Sequence, residues 1–220
     1  MRMLLSICAA KDLERDDLFQ RLSNIAPNLK PESLNATGDE GVTALHLLFK
    51  HQSQPFQSVE LLLSCGADAR IADADGRTAL HYAAKYKAHD CVSLLIHAGC
   101  DILRQSLPHS GRRTPLDFAK NPGQFAAAIL SSMGVTEDRV TAQGREWLSE
   151  LLNPTERSVW HWLLQFGGDH PTVAAQVLEA TRCLPQLATL RDAANRVAFD
   201  IAAPRSRAAI AQVRADTVLK

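Results

Sequence analysis

The sequence predicts an all-α solenoid of stacked helix-turn-helix units, and three observations carry that prediction. A short phrase recurs, as Thr43-Ala44-Leu45-His46-Leu47-Leu48-Phe49, Thr78-Ala79-Leu80-His81-Tyr82-Ala83-Ala84 and Thr114-Pro115-Leu116-Asp117-Phe118-Ala119. Its threonines keep a near-constant beat, 78 − 43 = 35 and 114 − 78 = 36 residues, which is the length of a two-helix repeat. The first two phrases are also followed, in phase, by Gly66-Ala67-Asp68 and Gly99-Cys100-Asp101. Two features recurring in register are far harder to obtain by chance than one.

The middle unit defines the elements. Asp73-Ala74-Asp75-Gly76 is a turn signal, with Gly76 free to take positive φ. Thr78 then caps a short helix, because its hydroxyl can serve backbone N–H groups left unpaired at a helix start. Leu80, Ala83 and Ala84 stand at i, i+3 and i+4, an apolar stripe of residues small enough for close helix approach. After the turn at residues 87–89, Cys91, Val92, Leu95 and Ile96 form a second stripe, and Gly99 supplies a left-handed stop. The two helices should lie antiparallel. Each unit exposes apolar faces that only a neighbour can cover, so stability is shared along the stack. In the preceding unit, two extra residues fit into the 52–57 loop around Pro55.

The flanks carry the same pattern more weakly. Leu4, Ile7, Cys8, Leu18, Phe19 and Leu22 have helix-compatible spacing and suit an N-terminal capping unit. Residues 24–39, with two prolines, read as an enlarged loop. Farther on, Ser158-Val159-Trp160-His161-Trp162-Leu163 repeats the phrase with tryptophan in the leucine place, and Asn195-Arg196-Val197-Ala198-Phe199-Asp200-Ile201-Ala202 is a last degenerate copy. The interval from Thr114 to Ser158 exceeds one unit, so residues 134–155 should hold an inserted turn or helix with Trp147 and Leu148 packed on the stack. Ala208 to Val218 reads as a closing helix with a more polar outer face.

Over residues 41–120 the chain resembles the ankyrin repeat family, on the recurring T-[AP]-L-[HD] and G-[AC]-D motifs. The expected architecture is an ankyrin-type solenoid of five or six units. Capping helices take residues 1–33, ankyrin repeats 34–133, the insertion 134–155, and degenerate repeats with the closing helix 156–220. The resemblance implies that His46, His81 and His161 bond the threonine and neighbouring backbone, tying one unit to the next. Asp117 and Asp200 hold the same place and can act as acceptors.

Composition narrows the function. Lysine plus arginine (24) balances aspartate plus glutamate (24), so no global field draws the chain to nucleic acid or to an anionic membrane. No apolar run reaches the length of a membrane span. The five cysteines are odd in number and lack paired C-x-x-C spacing, which favours free thiols in a reducing compartment over a zinc site. MRMLLSICAA runs straight into KDLERDD without a small-residue cleavage site. A cytoplasmic or nuclear protein is expected.

Nothing in the sequence calls for catalysis, a metal or a cofactor. Asp73-x-Asp75-Gly76 lacks the glutamate of a calcium loop and reads as a plain turn. Nucleotide-binding glycine loops, the nucleophile elbow, the H-E-x-x-H pair and kinase catalytic-loop sequences are all missing. A hydrolase built on His161, Asp169 and His170 is the weakest reading, because His161 has a repeat role and Asp169-His170-Pro171 is a turn before a helix.

What remains is surface recognition. The resemblance implies a concave strip formed by turn tips and the exposed faces of the first helices, where residues that vary between matched units are contact candidates. These are Arg77, Lys85 and Tyr86 in the middle unit, Lys50 and His51 before it, Arg113 and Asn121 after it, and Gln165 and Phe166 in the Trp-containing unit. Tyrosine and arginine favour interfaces, and lysine steers. A basic strip in a neutral chain suggests a protein partner with an acidic segment, although such side chains also simply solvate exposed faces. Trp160 and Trp162 are two apart and cannot share one buried stripe. The expected function is non-catalytic protein binding. Its rival is the regulatory ankyrin part of a larger or split enzyme such as a protein kinase, to whose closing repeats RDAANRVAFDIA is similar.

Overall fold

The computed structural model describes residues 2–10, 15–151, 157–167, 169–191 and 195–218. It divides into two compact units, Met1–Lys120 and Asn121–Lys220. The division falls inside the third sequence repeat. Among the described residues there are no strands, only isolated bridges between Val135 and Val140 and between Arg191 and Val197.

The first unit contains α1 (Arg2–Ala9), α2 (Arg15–Ile25), α3 (Pro31–Leu34), α4 (Ala44–His51), α5 (Phe56–Ser64), α6 (Ala79–Tyr86), α7 (Val92–His97) and α8 (Pro115–Phe118). The inner helices α1, α4, α6 and α8 touch in sequence, and α2 and α5 pack as an outer layer that α7 continues through the 3-10 turn at His89–Cys91. Each inner helix therefore needs its neighbours, as a stack of two-helix units requires. Leu4, Cys8, Leu18 and Leu22 are buried, which seats the N-terminal pair on the stack.

Helix α6 shows how the sequence makes the unit. Thr78 is extended (φ −90°, ψ 173°) and forms a reciprocal capping box with His81, so two orphan donors are satisfied at the helix start. Leu80, Ala83 and Ala84 are fully buried. Lys87 ends the helix in the left-handed region at φ 65°. Gly76 sits at φ 79°, and a Cβ there would meet the Leu107 backbone nitrogen at 2.8 Å. Only glycine fits where two turns pass this closely.

Two expectations change. The 24–39 stretch holds a 3-10 turn at Ala26–Asn28 and the one-turn α3, with Ala26 and Leu34 buried. Proline near the start of each, with φ preset for a helix, makes these turns possible where a loop was expected. Helix α8 is only four residues long, and Ala119 is extended (ψ 112°). Pro122 disfavours helical backbone at Asn121 (φ −126°, ψ 82°), so the repeat phrase cannot run on as a longer helix.

The second unit contains α9 (Pro122–Ser132), α10 (Ala142–Glu150), α11 (Arg157–Trp162), a π-helical turn at Leu163–Gly167, α12 (Pro171–Cys183), α13 (Ala198–Ile201) and α14 (Pro204–Val218). Helix α12 packs on α9 and α14. Gln176, fully buried, donates from Nε2 to the carbonyls of Ala127 (3.3 Å) and Val135 (2.9 Å) and to Ser131 Oγ (2.9 Å). Within residues 134–155, α10 buries Leu148 while Trp147 is half-buried. Trp160 is the core tryptophan, fully buried with Nε1 donating to the Leu187 carbonyl at 3.1 Å, and Trp162 is half-buried.

Candidate protein-binding face

The repeat-position histidines are structural members. His46 Nδ1 accepts from the Thr43 backbone N–H at 3.1 Å and lies 2.8 Å from Thr43 Oγ1, while Nε2 reaches the Arg77 carbonyl of the next turn at 3.0 Å. His81 repeats this with Thr78 (3.1 and 3.0 Å) and the Arg113 carbonyl (3.2 Å). An acceptor at Nδ1 and a donor at Nε2 fix one neutral tautomer in each ring. Burial lowers the pKa of both rings, that of His81 to about 4. In α8 the tie becomes a local cap, with Asp117 Oδ2 accepting from the Thr114 N–H and hydroxyl, each at 2.8 Å. His161 Nε2 donates to the Leu190 carbonyl at 3.1 Å, while Asp169 is exposed. No cluster of three His, Cys, Asp or Glu suited to a metal occurs among the described residues.

The Asp73 turn is a second organising point. Its Oδ1 accepts from the N–H groups of Asp75 (2.9 Å) and Arg77 (2.8 Å), and its Oδ2 accepts from the Tyr82 hydroxyl (2.8 Å). Burial, with this bond to Asp73, pushes the Tyr82 phenol up. Asp75 pairs with Arg77 Nη1 at 2.7 Å and accepts from Ser110 Oγ at 2.6 Å and His109 Nε2 at 3.2 Å. The Ser110 hydroxyl chiefly, against the opposing effect of desolvation and with help from Arg77 and His109, holds the Asp75 carboxyl below its usual range. The Arg77 and Arg113 guanidiniums lie over Phe118, at 5.4 and 5.8 Å. Glu40, Asp73, Ala74, Asp75, Arg77 and Tyr82 line a small cleft of about 220 Å³.

The contact candidates of the first unit lie on the inner helices and turn tips. Lys50 and Arg113 are exposed, and His51, Lys85 and Tyr86 are half-buried. Tyr86 stacks obliquely on Tyr82 at 6.2 Å, with Lys85 Nζ 5.4 Å from its ring. Arg77 is largely committed to Asp75 and Phe118. In the second unit, Asn121 accepts the Phe125 N–H at the start of α9, and Gln165 is exposed in the π-helical turn. The Phe166 side chain lies outside the described residues.

Sequence reasoning missed a larger groove beside α1. Leu5, Ala9, Val42 and Leu47 form its apolar floor, with Asp39, Glu40 and Lys50 on the rim, around a volume of about 600 Å³. Period-3.6 spacing gave α1 an apolar face, but not which part of that face its neighbour leaves uncovered.

Comparison with known proteins places these features. The model of ankyrin repeats, in three copies, matches residues 5–106. The Homo sapiens Notch-regulated ankyrin repeat-containing protein is 39% identical over 83 residues, 38% of this chain and 67% of that protein. The target of rapamycin complex 2 subunit AVO2 of Saccharomyces cerevisiae is 28% identical over 90 residues, 41% of this chain, and the tyrosine-protein kinase HTK16 of Hydra vulgaris is 37% identical over 81 residues, 36% of this chain. The match spans only 21% of the yeast protein and 10% of the Hydra kinase. A chain from the complex of the Bdellovibrio bacteriovorus predatory endopeptidase Bd0816 with immunity protein Bd3460 aligns over 98% of both chains, with TM-score 0.53 and 18% identity, a likeness of fold alone. The matched stretch holds both threonine–histidine caps, Thr43 with His46 and Thr78 with His81, and the chain belongs to the ankyrin repeat family.

Proposed function

We propose that the chain is a non-catalytic protein-interaction module that holds a partner along the inner-helix and turn-tip face of its first unit. Ankyrin repeats are generally protein-interaction modules. One observation carries the reading for this chain: its chemically capable side chains are occupied by the fold, while the inner-helix ends present aromatic area and charge. His46, His81 and Asp73 are bonded internally, and burial pushes the Cys8 and Cys100 thiols up to about 12, so these groups are held by the fold rather than presented to a substrate. Lys50, Lys85 and Tyr86 supply the complementary surface, with His51, Arg77 and Arg113 around them. An acidic stretch of the partner is the matching chemistry. Asn121 and Gln165 are the corresponding candidates on the second unit.

Inert buried thiols suit a reducing compartment, and we place the protein in the cytoplasm or nucleus. No helix among the described residues is long and apolar enough to cross a membrane.

The test compares affinity capture from native lysate by wild type and by a Lys50→Ala/Lys85→Ala/Tyr86→Ala variant of matched helicity and melting. Arg77 is spared, because its removal leaves Asp75 without its guanidinium. A partner lost selectively supports the reading, and identical capture sets remove this face from it. A second reading, an ankyrin part regulating a larger or split enzyme, is favoured by the kinase among the relatives. Phosphotransfer activity co-purifying with the chain and lost in the same variant would select it.

A further inference from the structure

The three turn tips of the first unit differ in charge in a way that uniform basicity does not describe. The first tip, residues 38–41, carries exposed Asp39 and Glu40, and neither carboxylate has an ion-pair partner among the described residues. At the middle tip, residues 73–76, Asp75 pairs with Arg77 at 2.7 Å, and the Asp73 carboxylate is buried and taken up by the Asp75 and Arg77 N–H groups and the Tyr82 hydroxyl. The third tip carries exposed Arg112 and Arg113, likewise without an ion-pair partner among the described residues. The exposed, unpaired charge of the turn tips therefore changes from acidic at the first to basic at the third. Its apolar groove, floored by Leu5, Ala9, Val42 and Leu47, opens at the acidic end.

Each outer tip also holds one of its charged residues in left-handed backbone. Counting back from the capping threonines, Gly41, Gly76 and Arg112 occupy one place, and Arg112 adopts φ 51° where the others are glycine. Glu40, beside Gly41, adopts φ 60°. Left-handed backbone is unstrained for glycine and unfavourable for these side chains. Each outer tip thus holds a charged residue in left-handed backbone, Glu40 at the first and Arg112 at the third, one position out of register with each other.

Resting on the reading that this face binds protein, we infer that its partner is an extended segment of dipolar sequence. An apolar side chain fills the α1–α4 groove, a basic residue beside it meets Asp39 and Glu40, and an acidic residue farther along meets Arg112 and Arg113. The separation follows from packing. Neighbouring inner helices at about 8–10 Å set the outer tips about 16–20 Å apart, which an extended chain covers in about five or six residues. The acidic stretch is one end of the ligand.

The experiment is selection from a library of short peptides bearing a central leucine and every arrangement of Lys and Glu around it, against the whole chain. Wild type should enrich peptides basic beside the leucine and acidic about five or six positions away. Asp39→Lys/Glu40→Lys should reverse the preference at the leucine end only, and Arg112→Glu/Arg113→Glu at the far end only. Each should weaken the best wild-type peptide by about tenfold or more through like-charge contact, with circular dichroism showing an unchanged fold. Enrichment of uniformly acidic peptides, indifferent to Asp39→Lys/Glu40→Lys but lost in Lys85→Ala/Tyr86→Ala, would overturn the dipolar ligand and leave the binding face standing. Enrichment of nothing, or of peptides indifferent to every variant, would overturn both.

Discussion

At the scale of single residues, His81 works only as a neutral imidazole. A proton on Nδ1 would face the Thr78 N–H that it now accepts from at 3.1 Å. Its pKa is lowered in the fold from 6.5 to about 4, so between those values the unfolded chain binds more protons than the folded one. The stabilisation is complete above about pH 6.5 and is lost as pH falls toward 4, by about 3 kcal/mol in total. An NMR titration of the ring should place His81 near the lower value; titration near 6.5 would mean the ring is not held. Leu80, fully buried, should cost about 2–5 kcal/mol when replaced by alanine. Tyr86→Ala, on the half-exposed face, should cost about 0.5 kcal/mol. Denaturant melts giving equal losses would contradict the inner-helix phase.

At the scale of elements, the turn tips and caps set the geometry of the face. Thr78→Ala removes one side of the capping box that starts α6 and should cost about 1 kcal/mol by thermal unfolding. The third tip behaves oppositely. Arg112→Gly relieves left-handed backbone at φ 51° but adds unfolded-chain entropy, for a net gain of about 0.5 kcal/mol. A stabler variant that binds the selected peptides less well would locate the strain in the service of recognition; a loss of stability would mean the side chain packs more than its exposure shows. Gly76→Ala should be the most damaging tip substitution, since the added methyl meets the Leu107 backbone at 2.8 Å, and backbone yields less readily than a side chain.

At the scale of the molecule, a repeat stack distributes stability among nearest neighbours. Helix α6 touches α4 and α8, and His46 and His81 stitch successive turns together. Leu80→Ala should therefore lower hydrogen-exchange protection in α4 and α6 more than in α12 and α14, which pack on each other in the second unit. Equal loss in all four helices would show that the two units open as one.

The local sequence determined the repeating part of this protein. Thr43, Thr78 and Thr114 mark helix starts, Gly66, Gly76 and Gly99 mark left-handed turns, and the 3.6-residue stripes mark buried faces, because caps, turns and periodicity act over a few residues. The helical turns within 24–39 and the shortened α8 were less legible, since proline there both starts and stops helices. The character of the face depended on contacts between residues distant in sequence. Arg77 was a contact candidate by position, yet the structure pairs it with Asp75 and lays it over Phe118, 41 residues away by 118 − 77. Leu5 and Leu47 form one groove floor only because α1 packs beside α4. Which charges remain unpaired, and which apolar surface remains uncovered, is settled when helices meet, and only the tertiary structure decides it.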